Sequence, residues 1–372
     1  MADPWRLLLT KVRLTLYATR DRLDAPDTPE PSSMTSPSLR ATPGVRFPWL
    51  LAGGGLLLVA IALSLFVGAR TISPLVTFDA LLGGGGERDH IIVREIRLPR
   101  TLLAIAVGAA LAVAGCLMQG LTRNPLASPE LLGIGHGASF AIVLAIYFAG
   151  VESPQGYVWF ALLGAAVSAV VVYVLAGAGS RSATPIRLAI SGTVLATAAL
   201  SWTQTVMALD RRTLDEARFW IAGSIAGRPI GVLTAVLPFL VVGAVLAIVL
   251  VRALDALALG DDAAVALGFD PLRHRLLGAV AVTLLAGGAV AAAGPLAFIG
   301  LAAPHLARQL CGPEHRVLLP ACAILGPALL LLADVIGRIV LFPLELEAGI
   351  VTALLGAPVL IILVRRVRLV SG

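Results

Sequence analysis

The chain has 372 residues, 58% of them hydrophobic and only 13% charged, with a formal net charge of +6. That composition is far too apolar for a soluble globular protein. The charges fall in clusters separated by apolar stretches of about 18–30 residues, and a helix needs about 20 such residues to cross a bilayer, so the chain reads as an all-α polytopic membrane protein.

Residues 1–46 form a polar tail rich in Pro, Ser and Thr with seven Lys or Arg. Arg6, Lys11 and Arg13 interrupt its apolar residues between Trp5 and Tyr17, so the tail does not read as a signal peptide. An interfacial helix followed by a disordered cytoplasmic linker fits it. Residues 47–372 then read as one domain with ten candidate transmembrane helices. The first six are 48–69, 101–121, 132–150, 157–177, 188–209 and 229–251. After a polar interruption come 275–293, 295–310, 317–337 and 348–364.

The seventh and eighth spans share an uncharged run over 276–304, too long for one helix. Gly294-Pro295 divides it, because proline lacks an N–H and clashes with the preceding turn. The eighth span is short and broken again at Pro304, a form tolerated where protein or a cavity surrounds the backbone. Ten spans put both termini on one side. With that side inside, 18 of the 28 Lys and Arg residues are cytoplasmic, as the positive-inside rule favours.

The first half also echoes the second. Residues 108–115 read GAALAVAG and 287–294 read GGAVAAAG, an offset of 179 at which Pro125 also meets Pro304. Spans 2–5 and 7–10 would then form an inverted repeat, a common transporter architecture.

Chemistry-bearing motifs are sparse. A Walker A loop needs a lysine on the phosphates, and the single lysine, Lys11, lies in the tail. The Gly83–Gly86 run has no following lysine and reads as a flexible external linker. The five histidines lack metal-ligand spacing, and Cys116, Cys311 and Cys322 are scattered without a CxxC, reading as small core residues. No metal, cofactor or enzymatic activity is expected of this chain. His136 lies inside a span, where a packed, hydrogen-bonded histidine competes with a ligand or proton relay. Asp334, the one carboxylate within a span, stands four residues before Arg338, an i,i+4 pair. Ion coupling has little to work with, so energy should come from a partner.

The polar interruption RALDALALGDDAAVALGFDPLRHR lies on the inner side. Asp261 can cap a short helix ending at Gly268, with Asp270-Pro271 as the following stop. Such a helix could lie in the interface or dock a soluble partner.

Taken together, two long segments carry a family resemblance. One is RLPRTLLAIAVGAALAVAGCLMQGLTRNPLASPELLGIGHGA at 97–138. The other is GPLAFIGLAAPHLARQLCGPEHRVLLP at 294–320, with LLADVIGR at 331–338 and EAGIVTALLGAP at 347–358. Over roughly residues 48–366 the chain resembles the FecCD-type permeases that import iron–siderophores, haem and cobalamin through ATP-binding-cassette transporters. The resemblance implies a ten-span subunit in the bacterial inner membrane, with both termini cytoplasmic. Its partners would be a second permease subunit, identical or related, two cytoplasmic ATPases and an extracytoplasmic substrate-binding protein. ATP and magnesium would be bound by the ATPases, and no nucleic acid is involved.

The resemblance also implies roles for particular residues. The loop 253–270 would be the coupling helices, through Leu259, Gly260, Asp261, Asp262 and Gly268. Arg97, Arg100 and Arg338 would receive carboxylates of the binding protein as exposed guanidiniums; anchoring in lipid headgroups is the plainer alternative. The cytoplasmic gate would use Asn124, Pro125 and Leu126 together with the turn at Thr184 and Pro185, where the proline departs from the family pattern. Spans five and ten would line the pathway, with Ser191, Thr193, Thr197, Ser201, Thr205 and Thr352 as modest polar groups. Glu345-Leu346-Glu347 stands in place of Glu-Leu-Pro, and His136 in place of a small polar residue. An iron–siderophore chelate is the expected cargo, with haem or cobalamin as alternatives. An ion-coupled secondary transporter and an intramembrane enzyme are the rival classes.

Overall fold

The structure is a computed structural model that describes residues 43–68, 72–84, 87–177, 185–341 and 344–358. The tail 1–42, Thr184, Arg181 and the C-terminal arginines Arg365, Arg366 and Arg368 lie outside the described residues. Among the described residues every regular element is helical. In chain order these are α1 (Pro43–Phe66), α2 (Pro74–Leu81), α3 (Arg88–Thr122), α4 (Ile134–Ala149), α5 (Pro154–Gly177) and α6 (Pro185–Leu209). There follow α7 (Arg211–Ile221), α8 (Ile230–Ala258), α9 (Asp261–Ala266), α10 (Pro271–Ala293), α11 (Ile299–Cys311), α12 (His315–Val340) and α13 (Ala348–Pro358).

A helix stands at each of the ten predicted spans. Seven of them, α1, α3, α5, α6, α8, α10 and α12, are long and apolar enough to cross a membrane. The other three, α4, α11 and the described part of α13, are shorter. The predicted break at Gly294-Pro295 is real: α10 ends at Ala293, Gly294 takes φ +78°, and α11 begins at Ile299.

α3 and α10 form the centre, and small residues explain why. A Cβ on Gly108 would lie 2.7–2.8 Å from the backbone of Gly326 and Pro327 in α12, and one on Gly115 would lie 1.7 Å from the Gly300 carbonyl oxygen in α11. Without side chains at these crossings the backbones pack in direct contact, the main source of helix association where lipid is as apolar as leucine. The outer faces are the reverse. Val167, Val170 and Val174 make an exposed stripe at helical spacing on α5, and Val241, Val245, Ile248 and Val249 do so on α8, as surfaces meeting lipid or another subunit should.

Two expectations shift. The echo at offset 179 does not survive as a residue alignment, because Gly115 lies inside α3 whereas its counterpart Gly294 lies past the end of α10. The order of helices does repeat. Ile134, Pro154 and Pro185 open helices in the first half, and Ile299, His315 and Ala348 open theirs 165, 161 and 163 residues later. The second difference is α7, an amphipathic helix absent from the predicted spans. Asp210 caps it, accepting from the Thr213 N–H at 2.8 Å and the Thr213 hydroxyl at 2.6 Å, and it buries Thr213, Ala217 and Trp220 along one face.

Candidate functional site

The described residues line a half-open cavity of about 860 Å³ between the turn before α4, the α6 helix, the break before α11 and α13. Most of its wall is apolar. From α6 it takes Leu200, Thr203, Gln204 and Met207; from α13 it takes Gly349, Ile350, Ala353, Leu354 and Ala357. Glu130, His136 and Ser139 complete its polar side. Spans five and ten both contribute to it, through residues other than the hydroxyl-bearing ones named from the resemblance. Thr193, Thr197, Ser201 and Thr205 sit on an exposed face of α6, each donating to the carbonyl four residues earlier at 2.8–2.9 Å. Ser191 is half-buried and is not among the lining residues, and Thr352 is buried, donating to the Gly349 carbonyl at 3.0 Å. Thr193 and Thr197 share the exposed helical face of the lining residues Leu200 and Gln204 and lie at a different level along α6. His136 does face the cavity.

Glu130, which sequence reasoning passed over, sits in the 3₁₀ turn Pro129–Leu132 between α3 and α4. The residue is exposed on the groove, where the neighbouring apolar wall partly desolvates its carboxyl and pushes its pKa upward. Its signal in the sequence was a lone acid five residues after Pro125, in a turn between two apolar spans. Phe298 forms part of the break beside it with φ +78°, a strained value for a non-glycine residue, and a Cβ on Gly356 of α13 would meet its ring at 2.2 Å.

One end of the bundle carries the three predicted docking arginines, and the structure corrects their expected exposure. Arg97, Arg100 and Arg338 are only 5%, 7% and 4% exposed, and their guanidiniums are engaged internally. Arg100 donates to both oxygens of Asp334 at 2.7–3.1 Å and to Glu345 at 2.7 Å. Arg338 also pairs with Asp334 and donates to the carbonyls of Ser64 at 2.8 Å and Val67 at 3.1 Å. Arg97 reaches the Leu65 carbonyl at 2.5 Å. Asp334, 1% exposed, is thus the hub of a buried network joining α1, α3, α12 and the segment before α13. Burying guanidiniums is costly unless they are paired; here Arg100 and Arg338 share Asp334, while Arg338 Nε is buried without a hydrogen-bond partner.

At the other end lies α9. Leu259, Val265 and Leu267 are 71%, 61% and 58% exposed, while Ala264 is buried against the base. Gly260, at φ +119°, and Gly268, at φ +84°, bracket the helix where side-chain-bearing residues would be strained. Asp261 does not cap α9 as predicted, since Gly260 holds the N-cap position. Its carboxylate is drawn instead to Arg275 at 2.8 and 3.0 Å and to Arg123. Partial burial favours the protonated form, but the two guanidiniums outweigh it and hold this carboxyl below the usual range. Asp270 opens α10, accepting from the N–H groups of Leu272 and Arg273 at 2.9 and 3.3 Å, so the predicted stop is a start. Asp262 lies beside Asp261 in the first turn of α9.

Arg123 ends α3 in the left-handed conformation at φ +51° and also donates to the Leu257 carbonyl at 2.6 Å. Immediately after it the predicted gate turn is exposed, with Asn124 Oδ1 accepting from the Leu126 N–H at 3.0 Å. Its predicted partner Thr184 lies outside the described residues, and Pro185 opens α6. His315 Nδ1 lies 2.6 Å from Asp255, and Arg308 donates to Gln119 at 3.0 Å, so α3, α8, α10, α11 and α12 are tied together beneath α9. No cluster of His, Cys, Asp and Glu able to hold a metal occurs among the described residues.

A sequence profile of the FecCD transport family matches residues 56–366. The chain is 45% identical over 332 residues to the ferric enterobactin transport system permease protein FepD of Escherichia coli, covering 89% of this chain and 98% of the relative. It is 38% identical over 320 residues to the iron(3+)-hydroxamate import system permease protein FhuG of Bacillus subtilis, covering 84% and 94%. A solved structure described as a metal-chelate type ABC transporter in an inward-facing conformation superimposes with a TM-score of 0.74 at 27% identity, covering 86% of this chain and 99% of that one.

Proposed function

Because the chain belongs to the FecCD transport family, we propose that it is the permease subunit of an ATP-binding-cassette importer that moves an iron–siderophore-type chelate. It resides in the bacterial inner membrane as ten spans with both termini cytoplasmic, the halves 2–5 and 7–10 related by inversion. It binds no cofactor and does no chemistry itself; two ATPase subunits beneath it hydrolyse ATP. A substrate-binding protein delivers the chelate from outside, and a second permease, the same or a related chain, completes the pathway.

The observation that carries this reading is α9. It leaves an apolar tip of Leu259, Val265 and Leu267 uncovered by its own chain, on a base tied by ion pairs and hydrogen bonds to five helices. An exposed apolar tip on a braced base suits a protein partner that must push on the bundle. Arg123 connects that base to the Asn124-Pro125-Leu126 turn, so ATPase closure would be felt directly at the inner gate. The 860 Å³ cavity is the chelate's route. The exposed hydroxyl-bearing face of α6 is where the second permease would complete the wall.

For the binding protein, Arg97, Arg100 and Arg338 meet incoming carboxylates only by giving up internal partners. Their proposed contribution is therefore to hold the outer surface in shape and to exchange partners during docking. The test is whether the purified chain carries an ATPase pair with it and whether chelate uptake by the reconstituted assembly requires ATP. Uptake driven by an ion gradient with no ATPase present would overturn the proposal.

A further inference from the structure

Between α5 and α10 runs a half-open groove of about 350 Å³, walled by Ala166, Val170 and Val174 on one side and Leu276, Val280 and Leu284 on the other. Val170, Val174 and Val280 are 62%, 64% and 50% exposed, so the groove opens away from the bundle. Of its two hydroxyls, that of Thr283 is spent on the Ala279 carbonyl at 2.8 Å. The Tyr173 hydroxyl has no hydrogen-bond partner among the described residues. At one end Leu132, Tyr173 and Ala279 pass from this groove into a smaller recess, whose wall also takes in Leu188 and Arg275.

The dimensions match a lipid tail. From Arg275 to Leu284 the α10 helix advances by about 14 Å at 1.5 Å per residue. One leaflet of bilayer hydrocarbon is about 15 Å deep, half of a core of about 30 Å. The groove therefore runs the depth of one leaflet and ends on a phenol and a guanidinium, side chains that suit the level of the headgroups.

Charge at that end selects among lipids. Arg275 is already matched, since Asp261 accepts from it at 2.8 and 3.0 Å. Arg273 is not. It is exposed, and its side chain makes no ion pair or hydrogen bond among the described residues. It stands three and seven positions before Leu276 and Val280, on their face of α10. Of the neighbouring acids, Asp261 is shared by Arg275 and Arg123, and Asp270 accepts from the N–H groups of Leu272 and Arg273. Asp262 alone makes no pair among the described residues. Apolar wall by itself would accept any lipid, whereas an unpaired guanidinium at its polar end favours an anionic one.

We propose that this groove binds one anionic phospholipid, with an acyl chain along Val170, Val174, Val280 and Leu284 and the phosphate against Arg273 and the Tyr173 hydroxyl. The site follows from the chain's place in a membrane and is independent of what it transports.

For the test, the full chain in mild detergent is given equal amounts of phosphatidylglycerol and phosphatidylcholine with the same acyl chains, and the retained lipid is identified by native mass spectrometry. Phosphatidylglycerol should be retained about fivefold over phosphatidylcholine, the worth of one arginine near an anionic lipid surface. Arg273→Gln should remove that preference. Arg252→Gln, which neutralises an exposed cation on α8 away from the groove, should leave it unchanged. Val280→Trp fills the groove and should lower retention of both lipids while the chain stays monodisperse; if it does not stay so, Val170→Trp makes the same test from the opposite wall. Equal retention of the two lipids, retention of neither, a preference that survives Arg273→Gln, or an equal drop in Arg252→Gln overturns the site. So does a filled groove that retains lipid as the native chain does.

Discussion

Replacing Asp334 by alanine separates a structural role of the outer arginines from a docking role. In the folded chain this carboxylate is 1% exposed and pairs with Arg100 and Arg338 at once. Its removal leaves two buried guanidiniums short of a counter-charge, and breaking a buried pair by deleting one partner costs about 3–5 kcal/mol. The residual partners argue for the lower part of that range. Arg100 keeps Glu345 at 2.7 Å, and Arg338 keeps the carbonyls of Ser64 and Val67. The expected loss is therefore about 3 kcal/mol, read as a shift in reversible unfolding of the purified chain in mixed micelles. Glu345→Gln is the internal comparison. Its side chain is 36% exposed, so its pair with Arg100 should be worth about 1 kcal/mol or less. A loss below about 1 kcal/mol for Asp334→Ala would show that the network is not structural. So would charge reversal of Arg97, Arg100 and Arg338 that abolished binding-protein docking while leaving stability untouched.

Three further outcomes follow from the geometry. Gly326→Leu should sharply lower the yield of folded protein, because even its first carbon would lie 2.2 Å from the Gly108 carbonyl oxygen; monodispersity after extraction measures it, and a well-folded variant refutes the close α3–α12 crossing. Ala264→Pro removes the N–H that bonds the Gly260 carbonyl at 3.0 Å, so α9 should loosen and ATP hydrolysis should continue with transport reduced at least tenfold; normal coupling would mean that α9 only rests at the interface. The Asp261 clamp has a carboxyl held below its ordinary range, so its contribution is present above the unfolded pKa and is lost as pH falls through the lower folded value. Protease resistance of the 253–270 loop should accordingly stay flat from pH 8 to about 5, fall only in stronger acid, and be lowered at every pH in Asp261→Asn. A half-exposed pair of this kind is worth about 1 kcal/mol at most, so an effect on global stability beyond that would point to another cause.

The sequence alone determined the broad plan, because membrane insertion depends on quantities summed along the chain. Long uncharged runs separated by charge clusters located the seven described helices long and apolar enough to cross a membrane. The Gly294-Pro295 break was legible because proline and glycine act locally on the backbone. The loop at 253–270 was legible as a short helix for the same reason, although its capping was not: whether Asp261 caps α9 or pairs with Arg123 and Arg275 depends on partners 138 and 14 positions away. Spacing along the chain gave the Asp334–Arg338 pair, but only the packing of α3 against α12 brings Arg100, 234 positions away, onto the same carboxylate and buries all three arginines. Position along α6 decided the groove wall. Thr193 and Thr197 share a helical face with Leu200 and Gln204, and only the tertiary packing sets the second pair beside the groove that α13 also lines. Glu130 was invisible for a related reason. A single acid in a turn carries no pattern, and it becomes informative only when the fold sets it on the groove shared with α6, the break before α11 and α13.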